Sequence, residues 1–318
     1  MSDASIRAVV VDQPGDADTL RVRAVDAPRI GPGEVLVGIE AAGVNPVDTG
    51  NRADPTWARL SAPYVVGYEF AGRVLELDKS VKHPLRVGDP VWGMLPVRGT
   101  TWGAYAEQIT ARAELVAPMP TVLEANAAAV LPIAGCTALQ VLDRMSLNPG
   151  SWLLIHGASG GVGHLLVQLA RSRGIRVAAA TRRVQRERVV DLGVELWLDR
   201  TAGCPAARAA AELGHDLDGA ADLVGGFLPS SLPFLREGAQ AAAIVDLDGN
   251  LETAIDRNIT IHGVLVRPGR QSLAQLADAV DDGLRVDIAA TFPLADAAIA
   301  HRRLEAGAVG GKIVLTVG

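Results

Sequence analysis

At 318 residues the chain is long enough for two domains, each with its own core. Hydrophobic residues make up 49% and charged residues 21%, a globular balance that excludes wholesale disorder. The formal charge of −6 argues against general nucleic-acid binding, and two cysteines cannot build a disulfide framework or a four-thiolate zinc site. Aromatics are only 4%, so Ala, Val, Leu and Gly must do most of the filling. Lys79, Lys82 and Lys312 are the only lysines, so the basic residues are mostly Arg. The opening MSDASIRAVVVD has no apolar core of signal-peptide length. The apolar stretch from Ala127 to Leu142 is cut by Pro132 and Gly135 and falls short of the about 20 apolar residues of a membrane span. A soluble, cytoplasmic protein with no membrane partner is the expectation.

Up to about Met119 the chain is rich in Val and turn residues. Ala8–Val11, Glu34–Ala41, Ala71–Leu77, Pro90–Trp92 and Glu107–Ile109 read as short strands between Gly- and Pro-containing turns. From Thr121 the texture changes, with Leu123–Val130 and Ala138–Arg144 helical in pattern. Trp152–Ile155 then reads as a buried strand, His156–Gly163 as a glycine-rich turn, and Leu165, Leu166, Leu169 and Ala170 recur at helical spacing.

Beyond the turn, strands and helices alternate. Val177–Ala180 is strand-like, Gln185–Leu192 helical, Leu196–Leu198 strand-like and Ala206–Leu213 helical. Ala220–Val224 follows as a strand, Pro229–Leu235 as a helix, and Ala241–Leu247 and Ile259–Val266 as strands. Such alternation implies βαβ units and a parallel sheet covered by helices on both faces. The tail holds helices over Leu273–Asp281 and Ala295–Glu305 and a last strand over Lys312–Val317.

The turn carries the first chemistry. Gly157, Gly160 and Gly163 stand three apart, which lets the backbone approach a ligand, and the helix behind them points its N–H groups and positive dipole end there. Strand, glycine turn and helix in that order predict a dinucleotide site formed by Gly157, Ala158, Ser159, Gly160, Gly161, Val162 and Gly163. A carboxylate about 20 residues beyond such a turn holds the ribose of NAD, whereas a basic residue accommodates the phosphate of NADP. The second strand here ends Thr181-Arg182-Arg183 with no carboxylate, so the expected cofactor is NADPH. A solvated basic start to a helix is the plainer reading of the same arginines.

Several further pieces stand in a fixed order: AAGVNPVDTGNR (41–52), VVGYEFAGRV (65–74), VGDPVWGM (87–94), GAYAEQ (103–108), LPIAGCTALQVL (131–142), the glycine turn, and GGKIVL (310–315). Together they resemble the medium-chain dehydrogenase/reductase superfamily, in its zinc-free quinone oxidoreductase branch. The resemblance implies an α/β protein with a GroES-like β-rich barrel domain and a Rossmann domain with a doubly wound parallel sheet. The barrel would span residues 1–119 completed by 267–318, and the Rossmann domain 120–266. It further implies a cleft between the domains and a homodimer.

Zinc-dependent members of that family place a Cys and a His where this chain has Asn45 and Tyr68, so no metal is expected. The six histidines show no metal-ligand spacing. Without zinc the implied chemistry is hydride transfer from NADPH to a quinone or an α,β-unsaturated carbonyl, with donors aimed at the oxygen that gains charge. The candidate catalytic residues are Asn45, Asp48, Arg52 and Tyr68. Asn45 also reads as a turn residue before Pro46, and Asp48 with Arg52 as a structural ion pair.

Gly50 stands where many quinone reductases carry a Tyr, which removes a phenol and widens the pocket. Trp57, Tyr64 and Tyr68 are the side chains that could replace it, each also suited to a core or wall position. Thr137, read as lying at a helix start, Lys312 of the closing Gly-Lys pair, and the backbone of Leu247 and Val266 complete the expected cofactor contacts, beside Asn45, Thr181, Arg182 and Arg183. Two other functions fit the same sequence: an enoyl-thioester reductase of fatty-acid or polyketide type, and an NADPH-binding regulatory protein without catalysis.

Overall fold

The computed structural model describes residues 5–82, 84–307 and 309–318. Residues 1–4, part of the stretch read for a signal peptide, and His83, one of the histidines surveyed for metal spacing, lie outside the described residues. In chain order the elements begin with β1 (Ser5–Val11), β2 (Leu20–Asp26), β3 (Glu34–Val44), α1 (Pro46–Ala53), β4 (Tyr64–Val65), β5 (Glu69–Leu77), β6 (Pro90–Met94), β7 (Gln108–Arg112) and β8 (Val116–Pro118). They continue with α2 (Ala125–Ala128), α3 (Pro132–Met145), β9 (Trp152–His156), α4 (Gly163–Ser172), β10 (Arg176–Thr181), α5 (Arg186–Asp191), β11 (Leu196–Asp199), α6 (Pro205–Leu213), β12 (Leu217–Asp222) and α7 (Leu228–Ser231). The last are β13 (Leu235–Ala243), α8 (Glu252–Asp256), β14 (Thr260–Gly263), α9 (Arg270–Asp281), β15 (Ile288–Pro293), α10 (Ala297–Glu305) and β16 (Lys312–Thr316).

The chain divides into two compact units, one running up to Ile133 and taking in Arg267–Gly318, the other Ala134–Val266. The first division falls at Ile133, beyond the Met119 boundary read from the sequence. The reason is local: α2 packs on β3, β5 and β16, and the N–H of Ile133 donates to Glu69 Oε2 at 2.7 Å.

In the first unit β3 is the organising strand. Val35, Val37 and Ile39 are buried and alternate with half-buried neighbours, the period-2 pattern of a strand with one inward face. β3 pairs antiparallel with β5, β7 and β16, within a sheet ordered β15-β16-β3-β5-β6-β8. A smaller sheet, β2-β1-β4, completes the unit. All three tyrosines, with Phe70, Trp92 and Met94, are fully buried here, so the few large side chains concentrate in this core. β2 and β15 escape sequence reading because both are edge strands with mostly exposed side chains and no alternation.

The second unit is the parallel sheet expected, ordered β11-β10-β9-β12-β13-β14. β9 is buried at every position, as a central parallel strand must be. Small and aliphatic side chains fill this core, among them Leu154, Ala178, Ala180, Ala220 and Ala241. β13 corrects the sequence reading: it runs over Leu235–Ala243, because its pairing with β12 ends at Ala243 opposite Asp222. Residues 244–250 therefore form a loop, and Pro229–Leu235 is cut to a short helix and a 3₁₀ turn. The strand read over Ile259–Val266 is shorter too, Thr260–Gly263.

Candidate active site

The strand order places the switch of direction between β9 and β12, and a doubly wound sheet presents its ligand crevice at the carboxyl ends there. The glycine turn lies at that edge, between β9 and α4. A Cβ on Gly163 would stand 2.1 Å from Gly157 O and 2.7 Å from Ala158 Cα, so only glycine lets the turn fold back onto the helix start. α4 begins at Gly163 directly behind the turn, with the His164 N–H donating back to Gly160 O at 3.1 Å, so the positive end of the helix dipole lies at the turn, which suits an anion. This cradle fits the diphosphate of a nicotinamide dinucleotide.

Beside it, β9 ends in His156, buried against Phe227 with ring centroids 4.9 Å apart. Ser231 Oγ donates to Phe227 O, so the His156 Nε2–H donates to Ser231 Oγ at 2.9 Å and the neutral ring keeps Nδ1 bare. Burial lowers its pKa to about 4, outweighing the pull of Asp222 and aided by Arg200. Asp222, at the end of β12, accepts four backbone N–H groups, from Val224, Gly225, Phe227 and Leu228, and so shapes the neighbouring loop.

At the end of β10, Thr181 is buried and its Oγ1 accepts the indole N–H of Trp197 at 2.9 Å, which leaves its own O–H to donate. Arg186 lies over the Trp197 ring at 5.3 Å. The sequence shows no carboxylate at this strand end, but the sheet supplies one. Asp199 pairs in register with Thr181, and Arg183 Nε stands 3.5 Å from its Oδ2.

In the first unit a buried ionic cluster joins three strands. Ile313 of β16 lies opposite Val44 of β3, which sets Lys312 across from Asn45. Phe70 of β5 lies opposite Ala42, which brings Glu69 under Gly43. Glu69 Oε1 accepts from Asn45 Nδ2 at 2.8 Å and from Lys312 Nζ at 2.9 Å, while Lys312 also donates to Asn45 Oδ1. An ammonium only donates, so the amide of Asn45 has one possible orientation. A Cβ on Gly43 would meet Glu69 Oε1 at 2.1 Å, so that glycine makes room for the carboxylate.

A second buried chain starts three residues on. Asp48 Oδ2 accepts the Asn45 N–H at 2.6 Å, the helix N-terminus reason for an acid at this place in α1. Tyr105 donates to the same oxygen at 3.3 Å and lies 3.2 Å from His301 Nε2, whose Nδ1 faces Arg52 at 3.4 Å. Arg52 can only donate, so His301 accepts at Nδ1, donates through Nε2 to Tyr105, and Tyr105 donates to Asp48. Burial raises Asp48 to about 7; the Asn45 N–H opposes that, Glu69 adds to it, and Lys312 and Tyr105 oppose it. Burial, with Arg52 beside it, lowers His301 to about 3.

These contacts correct several sequence readings. Arg52 pairs with Glu305 at 2.7 Å and with Gly15 O, and reaches Asp48 only through His301 and Tyr105. Tyr68 is fully buried with its hydroxyl accepting from Asn51 at 2.8 Å, and burial raises its pKa. Tyr64 donates to Asn51 O and is equally buried, whereas Trp57 is exposed with Arg98 over its ring at 5.0 Å. Thr137 lies inside α3, which begins at Pro132, and is buried, so it does not mark a helix start. Lys312 is no solvated strand end. Leu247 is half exposed and Val266 buried, both beyond the carboxyl ends of strands β13 and β14. Gly50 is exposed and a Cβ there would meet nothing within 4 Å, so the position has room for a side chain. Glu69, Tyr105 and His301 escape sequence reading as site residues; the signal for the first was an acid inside the apolar run VVGYEFAGRV.

Residues 31–121 match the alcohol dehydrogenase GroES-like domain, and residues 192–315 match the zinc-binding dehydrogenase family. The structure of the quinone oxidoreductase from Coxiella burnetii superposes with a TM-score of 0.90 at 29% identity, covering 99% of this chain and 100% of that one. This chain belongs to the medium-chain dehydrogenase/reductase superfamily. Within it the chain falls on the quinone oxidoreductase-like branch, and it is an oxidoreductase with a nicotinamide cofactor. The NADPH-dependent alkenal/one oxidoreductase of Arabidopsis thaliana is 28% identical over 99% of this chain and 81% of its own length. Alcohol dehydrogenase 2 of Emericella nidulans is 33% identical over 224 residues, 61% of this chain and 60% of that protein.

The zinc that gives the matched family its name needs ligands that Asn45, Tyr68 and Glu69 do not offer. Asn45 is engaged by Lys312 and Glu69, Tyr68 by Asn51, and the remaining acid has an ammonium at its side. Among the described residues no group of three or more His, Cys, Asp or Glu could hold a metal. The donor set does not fit zinc.

Proposed function

We propose that the chain is a zinc-independent, NADPH-dependent reductase of quinones or α,β-unsaturated carbonyls. The observation that carries this reading is Asn45, whose amide is oriented by a buried cation and a buried carboxylate at the position where zinc-dependent relatives place a ligand. One Nδ2 hydrogen is committed to Glu69, and the other is the donor we assign to the substrate oxygen as charge builds there. When bound, the cofactor supplies the hydride. The turn from Gly157 to Gly163 would hold its diphosphate, and Thr181, Arg182 and Arg183 its 2′-phosphate. Likeness to the alkenal/one oxidoreductase and to the Coxiella quinone oxidoreductase supports this substrate range.

The same reading takes the protein as cytoplasmic and homodimeric. Both cysteines are free thiols, and no helix among the described residues is long and apolar enough to cross a membrane. β14 is the edge of the parallel sheet, with exposed Ile255 and Leu265 nearby, a suitable seam for a second copy. The test is NADPH oxidation by purified protein against quinones, enones and enoyl thioesters, with NADH in parallel. Turnover of quinones or enones is expected. Tight NADPH binding with no turnover of any acceptor would overturn the reading in favour of a regulatory binding protein.

A further inference from the structure

The end of β10 carries arginines in sequence but shares its edge with an acid in space. β11 lies parallel to β10 with Asp199 opposite Thr181, and the Arg200 N–H donates to Thr181 O at 2.9 Å. Asp199 therefore shares the carboxyl edge with the end of the second strand, where a doubly wound sheet meets the cofactor ribose. Its Oδ1 is fixed by the Thr201 N–H at 3.0 Å and the Thr201 hydroxyl at 2.7 Å. Its Oδ2 faces Arg183, whose side chain is 83% exposed against 11% for the acid. The arginine can leave; the carboxylate cannot. The bonds from Thr201, more than Arg183, hold the carboxyl below its usual range, so it is ionised at neutral pH.

We propose that Asp199 sets the balance between the two nicotinamide dinucleotides: Oδ2 accepts the ribose hydroxyls of NADH, and the same atom draws Arg183 away from the 2′-phosphate of NADPH. The inference rests on the second unit being the cofactor site. A fixed carboxylate accepts hydroxyl bonds well and repels a phosphate, while a mobile guanidinium does the reverse. With Arg183 on Asp199 the edge suits NADH, and with Arg183 swung onto a phosphate it suits NADPH. The pair makes one strand end serve both cofactors, with the NADPH preference held below what the arginines alone would give.

The test is isothermal titration of NADPH and NADH into the wild type, Asp199→Asn and Arg183→Ala, with circular dichroism to verify folding. Asparagine keeps an oxygen for both Thr201 bonds, so the turn is retained. The wild type binds both cofactors. Asp199→Asn raises the NADPH-to-NADH affinity ratio about tenfold, the size expected for removing one charge near a phosphate. Arg183→Ala, a change on an exposed side chain, weakens NADPH and leaves NADH within about twofold.

An unchanged ratio in a folded Asp199→Asn overturns the proposal and leaves the cofactor site standing. Equal losses of both cofactors in Arg183→Ala overturn it as well, whether or not the Asn variant folds. Binding of neither cofactor by the wild type overturns the cofactor reading and this inference with it.

Discussion

In the second unit the glycine cradle is a run of neighbouring residues, His156 to Gly163, folded by the sharp turn between one strand and one helix. In the first unit the cluster around Glu69 takes Asn45 from the end of β3, Glu69 from β5 and Lys312 from the last strand, positions up to 267 residues apart. The cradle is built from backbone and has no room for a Cβ at Gly163. The cluster offers side-chain charge and tolerates no missing partner. A local device depends on conformational freedom, and a tertiary one depends on register and on charge balance.

The largest expected effect tests the cluster. Lys312→Met leaves the buried Glu69 carboxylate without its cation, and urea denaturation should show a loss of about 3–5 kcal/mol. A loss under about 1 kcal/mol, the size for an exposed pair, would show that burial does not govern this cluster.

The pH dependence of the Asp48 chain comes next. Asp48 is raised from 3.8 to about 7, so its contribution to stability is fully present below pH 3.8 and is lost as pH rises through about 7. Asp48→Asn removes that dependence while keeping an acceptor for Asn45 and Tyr105. Relative to the wild type the variant should therefore gain stability between about pH 4 and 7, by up to about 4 kcal/mol. Parallel stability curves for the two proteins would refute the raised carboxyl. His301 has the opposite sign: lowered to about 3, it contributes stability present above 6.5 and lost as pH falls through 3. Comparing variant with wild type cancels that common term.

The smallest effect tests the cradle. Gly163→Ala drives a Cβ into the Gly157 carbonyl and should cost about 1–3 kcal/mol, read as a lowered Tm, with nucleotide affinity falling alongside. Retained affinity in a stable variant would mean that the turn can open without loss of function, and the contrast with the cluster would fail.

The contrast also explains what was legible in the chain. The glycine turn, the alternating strands of the second unit and the strand β3 follow from short-range periodicity and turn chemistry, so reading along the sequence finds them. The partners of Arg52 and Tyr68, Glu305 and Asn51, cannot be read along the chain because packing chooses them. Asp199 was invisible at the strand end because a parallel neighbour, not the next residue, brings it there.

By itself the sequence determined the two-unit organisation of the chain: a β-rich unit, a unit with a parallel sheet and glycine turn, and Asn45 and Tyr68 in place of Cys and His. Only the tertiary structure decided that Asn45 is clamped by Lys312 and Glu69, that Asp48 heads a hydrogen-bonded chain to Arg52, and that a carboxylate shares the edge with the arginines. The physical reason is the range of the forces involved. Backbone conformation is set within a few residues, whereas buried charges are satisfied by whichever strand the sheet register places beside them.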